Sequence, residues 1–189
     1  NKLMEEKCTI VIPTKERKEL LLNKLMCYQK LGLRSKIIIV DSSENSIASE
    51  LKSQELNITY IHKILPANLA LRLGYNSTDT EYVCYEGYDD LFVPATIAHF
   101  VEKLETNRNY IAAVGRGIRV FEDISLKNKL TIGPPIPYPD KKLSLFDKKL
   151  RLNSLKYSPF ASQYAITRTN VINEIVGLYD MSGYRIIEY

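Results

Sequence analysis

Four short apolar runs in the first half of the chain, separated by segments of a different period, constrain this sequence more than any other feature. KCTIVIPT (7–14), KIIIVDSS (36–43), NITYIHKI (57–64) and EYVCYEG (81–87) are rich in β-branched and aromatic residues and read as strands, the first two as buried ones. Between the first pair, KERKELLLNKLMCYQKLGL places Leu21, Leu25, Tyr28 and Leu31 at helical spacing, with Gly32 as a stop. SIASELKSQ predicts a short helix, PANLALRLGYNST a helix opened by Pro66, and VPATIAHFVEKLETN a helix with Pro94 at its start. NYIAAVGRGIRVF (109–121) predicts a long strand or a strand pair. Strands that alternate with helices imply crossover connections, so the expected fold class is α/β with a mostly parallel central sheet flanked by helices.

After residue 121 the character changes. TIGPPIPYPD (131–140) predicts an irregular loop, KKLSLFDKKLRLN a basic, weakly helical segment, QYAITR (163–168) one more strand, and NVINEIVGLYD a helix ending near Gly177. No repeat, low-complexity tract or linker divides the chain, so residues 1–189 are expected to form a single domain. Position 1 is not Met, and the final GYRIIEY reads as the middle of an element. The expectation is therefore a piece cut from something longer, possessing a truncated C-terminus.

With 189 residues, 45% of them hydrophobic and 25% charged, the chain can bury a core without disulfide or metal staples. Cys8, Cys27 and Cys84 are odd in number, widely spaced and each set in an apolar run; they are expected to be reduced core residues of a cytosolic protein. His62 and His99 stand at no ligand spacing, which argues against zinc. His62, in an apolar strand, is expected to be a core or edge residue. The opening NKLMEEKC is too polar for a signal peptide, and no run reaches the ~18 apolar residues of a membrane span. A net charge of +4 suits an anionic ligand or anionic lipid head groups and gives no indication of nucleic acid.

In an open parallel sheet, ligands bind beyond the carboxyl ends of the strands. Three such ends carry polar groups: Pro13-Thr14-Lys15-Glu16-Arg17, Asp41-Ser42-Ser43 and Gly87-Tyr88-Asp89-Asp90. The fold brings these distant stretches together, and their convergence outweighs any one motif. Each has a second explanation. Asp41-Ser42-Ser43 also fits a cap on the segment after Ser42, and Asp89-Asp90 a turn capping the helix at Pro94. Lys15, Arg17 and Arg72 suit phosphate charge but also ordinary solvated positions, and Arg116 fits either a pocket residue or a β-bulge. No glycine-rich loop follows the first strand, which argues against nucleotidyl transfer and against a dinucleotide-binding fold.

IVIPTKER, IIIVDSSE and YVCYEGYDDLFVP together resemble the core of the family 2 glycosyltransferases, whose fold is GT-A. The likeness is good over roughly residues 7–121 and looser beyond, through FASQYAITRTNVINEIVGLYD. It implies that Pro13, Thr14, Lys15 and Arg17 line a nucleotide-sugar pocket and that Asp41 contacts the base or ribose. Arg72 is implied in phosphate binding; Ala70-Leu71-Arg72 stands where the family often carries Ala-Arg-Asn. It further implies that Tyr88, Asp89 and Asp90 form the acidic turn called DXD, which holds Mg²⁺ or Mn²⁺ on the donor diphosphate. The chemistry is direct: charge grows on the nucleoside diphosphate as the glycosidic bond breaks, and a hard cation neutralising it takes carboxylate oxygens. The full family pattern has another acid at Gly87 or Tyr88. This chain has none there, and Glu86 is the acid left to compensate.

An inverting transferase needs a base for the acceptor hydroxyl. The family's late acid corresponds to Glu188, with Asp180 as the alternative. The resemblance thus implies a cytoplasmic, inverting, metal-dependent transferase in surface glycan synthesis. It would take a nucleotide-sugar donor, with a UDP-sugar favoured, and a glycan or lipid-linked acceptor. The basic segment KKLSLFDKKLRL suits contact with the inner face of a membrane. The alternative is a non-catalytic GT-A-like module of a longer protein that binds nucleotide or glycan. The shortened acidic motif and the abrupt end favour that reading.

Overall fold

Burial on both faces explains why the first strands are apolar without alternation. In this computed structural model, which describes residues 2–52, 54–115, 117–123, 129–135 and 164–182, a short helix α1 (Lys2–Glu6) leads into β1 (Cys8–Thr14). There follow α2 (Lys18–Leu31), β2 (Lys36–Asp41), α3 (Ala48–Leu51), β3 (Ile58–His62), α4 (Ala67–Asn76), β4 (Tyr82–Tyr85) and α5 (Pro94–Thr106). After these come β5 (Ala112–Ala113), β6 (Ile118–Asp123), β7 (Lys129–Pro135), β8 (Ile166–Arg168) and α6 (Thr169–Ser182). By internal contacts the described residues of Asn1–Ala113 and Tyr164–Tyr189 form one unit, and those of Val114–Gln163 a second.

The first unit is built on a six-stranded sheet of order β3-β2-β1-β4-β8-β5. β1 pairs in parallel with β2 (Ile10↔Ile37) and with β4 (Ile10↔Cys84), and β2 in parallel with β3 (Ile39↔Tyr60). β8 runs antiparallel to both its neighbours, β4 and β5. Ile10, Ile12, Ile37, Ile39 and Cys84 pack with Leu21, Leu25 and Tyr28 of α2 and with Ile97, Val101 and Leu104 of α5. Val11, Ile38, Val40 and Val83 form a second cluster with Ala70 of α4 and Ile172 of α6. The carboxyl ends of the four parallel strands therefore emerge on one side, as the alternation of strand and helix required. Among the described residues no helix is long and apolar enough to cross a membrane.

Local chemistry places the boundaries. α2 stops at Gly32, whose φ of 68° lies in the left-handed region; its N–H bonds to the Gln29 carbonyl and that of Leu33 to Tyr28. α5 opens at Pro94 with no side-chain cap, so neither Asp89 nor Asp90 serves as its N-cap. The NYIAAVGRGIRVF stretch is a strand pair, β5 and β6, in different sheets.

Three expectations need correction. The TIGPP run is not loop but the end of β7, which pairs with β6 (Ile118↔Pro135). In a two-stranded sheet both strands are edges, so proline's missing donor is tolerated there. α6 does not end near Gly177 but runs through it to Ser182; one glycine inside a helix costs only ~1 kcal/mol. Cys8 and Cys84 are buried, but Cys27 is exposed, because α2 buries positions 21, 24, 25 and 28 and turns 27 outward. α1 was not anticipated; its Glu5 carboxylate accepts from the N–H groups of Arg34 and Ser35 at the entrance to β2. The basic KKLSLFDKKLRLN segment and Arg116 lie outside the described residues.

Gly74 shows how closely α4 approaches the sheet. A Cβ there would stand 2.3 Å from Val11 Cγ1 and 3.4 Å from Val40 Cγ2. Gly74→Ala should lower stability by about 1–3 kcal/mol despite alanine's better helix propensity, because the added methyl overpacks the interface. Thermal melting checks this; an unchanged or raised Tm would show that helix and sheet separate at little cost.

Candidate active site

β1 and β2 end side by side, with Thr14 paired to Asp41, and their loops frame a cleft of about 560 Å³. Its lining includes Thr14, Glu16, Arg17, Asp41, Ser43 and Ile47. The loops are stitched by polar contacts. Ser43 donates to Asp41 Oδ1 through its N–H at 2.9 Å and its hydroxyl at 2.5 Å, and Tyr60 OH donates to Asp41 Oδ2 at 2.7 Å. Ile47 N–H donates to the Tyr60 oxygen at 3.0 Å. His62, exposed on the edge strand β3, donates from Nε2 to the Ser43 carbonyl at 2.8 Å, which fixes its tautomer. Asp41 is thus buried and engaged at both oxygens. It caps no helix, since α3 has Ile47 at its N-cap. Instead it holds the β2 turn in shape while lining the cleft.

Two features of this cleft were not anticipated. Glu16 has a φ of 52°, a left-handed conformation uncommon outside glycine, asparagine and aspartate. It is held there by its N–H donating to Ser43 Oγ at 2.7 Å and by its carboxylate accepting from Glu44 N–H at 2.7 Å. Backbone strain of this kind persists only where the surroundings overdetermine it. Thr14 Oγ1 is the second. It is buried at the cleft and has no hydrogen-bond partner among the described residues. A buried hydroxyl without a partner costs about 1–3 kcal/mol, which a bound ligand offering a polar atom would recover.

The third strand end, β4, leads into the acidic turn. Arg17, on the cleft lining, lies over the Tyr88 ring with its guanidinium carbon 5.3 Å from the centroid, linking turn to cleft. Gly87 explains the missing acid. A Cβ at that position would stand 2.6 Å from Asp90 Oδ2 and 3.2 Å from Asp89 Oδ1. Both carboxylates fold back over the bare Cα, so a larger residue at 87 would push them away. Asp89 is exposed; Asp90 is half-buried and lies near Tyr164, whose phenol burial and the Asp90 charge together push above its usual range. Two converging carboxylates fit a hard cation that takes one or two protein ligands and completes its shell with substrate phosphates and water. Among the described residues no group of three or more His, Cys, Asp or Glu is placed to hold an ion.

Glu86 does not join them. Its side chain is fully buried beneath the turn. Oε1 accepts from Phe92 N–H at 2.8 Å and from Tyr28 OH at 2.5 Å, and Oε2 stands 3.2 Å from Lys24 Nζ. Burial pushes the Glu86 carboxyl up and pulls the Lys24 ammonium down, each opposed by attraction to the other. Lys24 and Tyr28 were not singled out as site residues, although a lysine on the buried face that also carries Leu21, Leu25 and Tyr28 was a readable signal.

Thr14, Arg17 and Asp41 meet at one cleft; Tyr88 touches Arg17 but, like Asp89 and Asp90, is not among the cleft's lining residues. Pro13 is half-buried and Lys15 exposed, and Arg72 sits half-buried on α4; none of the three lines the cleft. Asp180 falls within α6 but its side chain, like Glu188, lies outside the described residues.

The sequence profile of Glycosyl transferase family 2 matches residues 9–173. This chain belongs to that family. No curated protein sequence matches it. Among solved structures, S. aureus TarS (residues 1–349) superposes with a TM-score of 0.54 at 13% identity, over 89% of this chain and 48% of that one. TarS in complex with UDP gives the same values. The 4-diphosphocytidyl-2C-methyl-D-erythritol synthase of Anaerococcus prevotii DSM 20548 superposes with a TM-score of 0.56 at 12% identity, over 98% of this chain and 81% of that one. At such identities the likeness concerns the fold, which these transferases share with a mixed α/β, mostly parallel sheet. This family 2 chain spans about half the length of the TarS fragment.

Proposed function

We propose that this family 2 transferase moves a sugar from a UDP-sugar to an acceptor hydroxyl with inversion, assisted by Mg²⁺ or Mn²⁺. The observation that supports the reading is a cleft at the ends of β1 and β2, lined by Thr14 and Asp41 and reached by the β4 turn through the contact of Arg17 with Tyr88. Thr14 and the Asp41 turn receive the nucleoside, and the solved TarS–UDP complex supports trying uridine first. Arg17, at the junction of cleft and turn, takes phosphate charge, with Lys15 and Arg72 as further basic groups. Asp89 and Asp90 hold the cation, which when bound neutralises the diphosphate. The acceptor oxygen attacks the anomeric carbon, the bond to the diphosphate oxygen breaks, and its electron pair leaves with the nucleotide. The acceptor proton passes to Glu188, or to Asp180 in its place. The cellular role is synthesis of a surface glycan on a glycan or lipid-linked acceptor, at the cytoplasmic face of a membrane.

Titration calorimetry of UDP with and without Mn²⁺ tests the reading. Binding in the micromolar range with Mn²⁺, weakened about tenfold or more without it, is the expected result. Equal binding in both conditions would remove the metal from the reaction. No binding of UDP, GDP or dTDP would overturn the transferase assignment in favour of a non-catalytic module.

A further inference from the structure

Beneath the acidic turn lie three side chains that no step of the proposed reaction uses. Lys24, Tyr28 and Glu86 are all buried, with the side chains of Lys24 and Glu86 only 3% and 0% exposed. Taking an ammonium and a carboxylate out of water is costly, and apolar residues of similar volume often replace such a pair without loss of stability. Filling space therefore does not account for them, whereas their bonds do. The single Glu86 carboxylate, at the end of the strand, accepts from Phe92 N–H on the far side of the loop. Tyr28 OH donates to that carboxylate and accepts a second contact from Phe92 N–H at 3.0 Å. Lys24 Nζ donates to the Gly87 carbonyl, at the loop's first residue. Residues 87–91, with both metal-holding acids among them, are thus clasped at each end by one carboxylate and held from below by one ammonium. Lys24 and Tyr28 sit one turn apart on α2, whose N-terminal flank carries Arg17 over Tyr88. The helix that lines the cleft also sets the turn.

We propose that Lys24, Tyr28 and Glu86 are positioning residues that hold the 86–92 backbone so that the carboxylates of Asp89 and Asp90 converge over Gly87 to receive a cation-bearing diphosphate. This rests on the transferase reading above. Two double variants isolate it: Lys24→Met with Glu86→Leu, which removes the clasp, and Lys24→Met with Glu86→Gln, which keeps an acceptor for Phe92 N–H. Both lack the charge pair, so they differ in the clasp and not in the local charge. UDP is titrated into the full chain with and without Mn²⁺, and hydrogen exchange of the 87–92 amides is followed without ligand. The leucine variant should lose about tenfold in Mn²⁺-dependent affinity, keep its metal-free affinity, and exchange its turn amides faster, while the glutamine variant recovers most of the loss. Wild-type Mn²⁺-dependent affinity in the leucine variant would overturn the proposal, and so would equal losses in the two. If wild type itself shows no Mn²⁺-dependent term, the metal reading of function fails separately. The exchange data then decide: faster exchange in the leucine variant alone upholds the clasp, and unchanged exchange overturns it.

Discussion

Asp89→Ala should abolish the Mn²⁺-dependent part of nucleotide binding while leaving the fold intact. Asp89 is the exposed member of the acid pair, so its truncation should fall within about 0.5 kcal/mol of wild type in stability. Its loss leaves one carboxylate where the cation needs two, and an effect of about 100-fold or more on metal-assisted affinity is expected, at least as large as the upper range for outer-shell changes. Asp90→Ala provides the contrast. Asp90 is half-buried and near Tyr164, so its removal should weaken metal-assisted binding and also lower the Tm. Calorimetry with and without Mn²⁺, paired with thermal melting, separates the two. Unchanged Mn²⁺ dependence in Asp89→Ala would show that the YEGYDD turn is not the metal site.

The parallel sheet was legible because its strands are buried on both faces and its crossovers carry helical periodicity. The runs at β1, β2, β3 and β4 differ from their expected limits by only a few residues. Strand and helix ends marked by Gly32, Pro66 and Pro94 were equally readable, since those residues act through local backbone geometry. β7 was missed because a Gly-Pro-Pro run signals a turn wherever edge status is unknown, and edge status depends on partners elsewhere in the chain. The convergence of the strand ends followed from topology alone. What lay beyond sequence was orientation. Nothing in YEGYDD says that Glu86 points down into α2 while Asp89 and Asp90 turn back over Gly87. That division follows from Lys24 and Tyr28, some sixty residues earlier, waiting beneath the strand. The same holds for Asp41. Of its two readings the helix cap falls away, since Ile47 caps α3, and Tyr60 and Ser43 add a role in shaping the turn while Asp41 still lines the cleft.

Lys24→Ala is the substitution expected to cost most in stability. It leaves the Glu86 carboxylate fully buried without its counter-charge, and breaking one side of such a pair typically costs about 3–5 kcal/mol. The penalty should depend on pH, with a definite sign. Burial already raises the Glu86 pKa above its usual carboxylate value, and losing Lys24 raises it further, because the ammonium's attraction leads the effects that lower it, ahead of the Tyr28 and Phe92 hydrogen bonds. A carboxyl whose folded pKa exceeds its unfolded pKa favours folding in its protonated form, fully below the unfolded value, and loses that contribution as pH rises through the folded value. The variant's deficit should therefore be smaller near pH 5 than near pH 8. Urea unfolding at the two pH values measures it, with wild type and the Lys24→Met/Glu86→Leu pair alongside. The pair buries no charge there, so this site adds little pH dependence to its own stability between the two. A Lys24→Ala deficit that is below about 1 kcal/mol at pH 8, or equal at both, would mean that water reaches Glu86 and that the carboxylate beneath the acidic turn is not the dry, fixed clasp its hydrogen bonds describe.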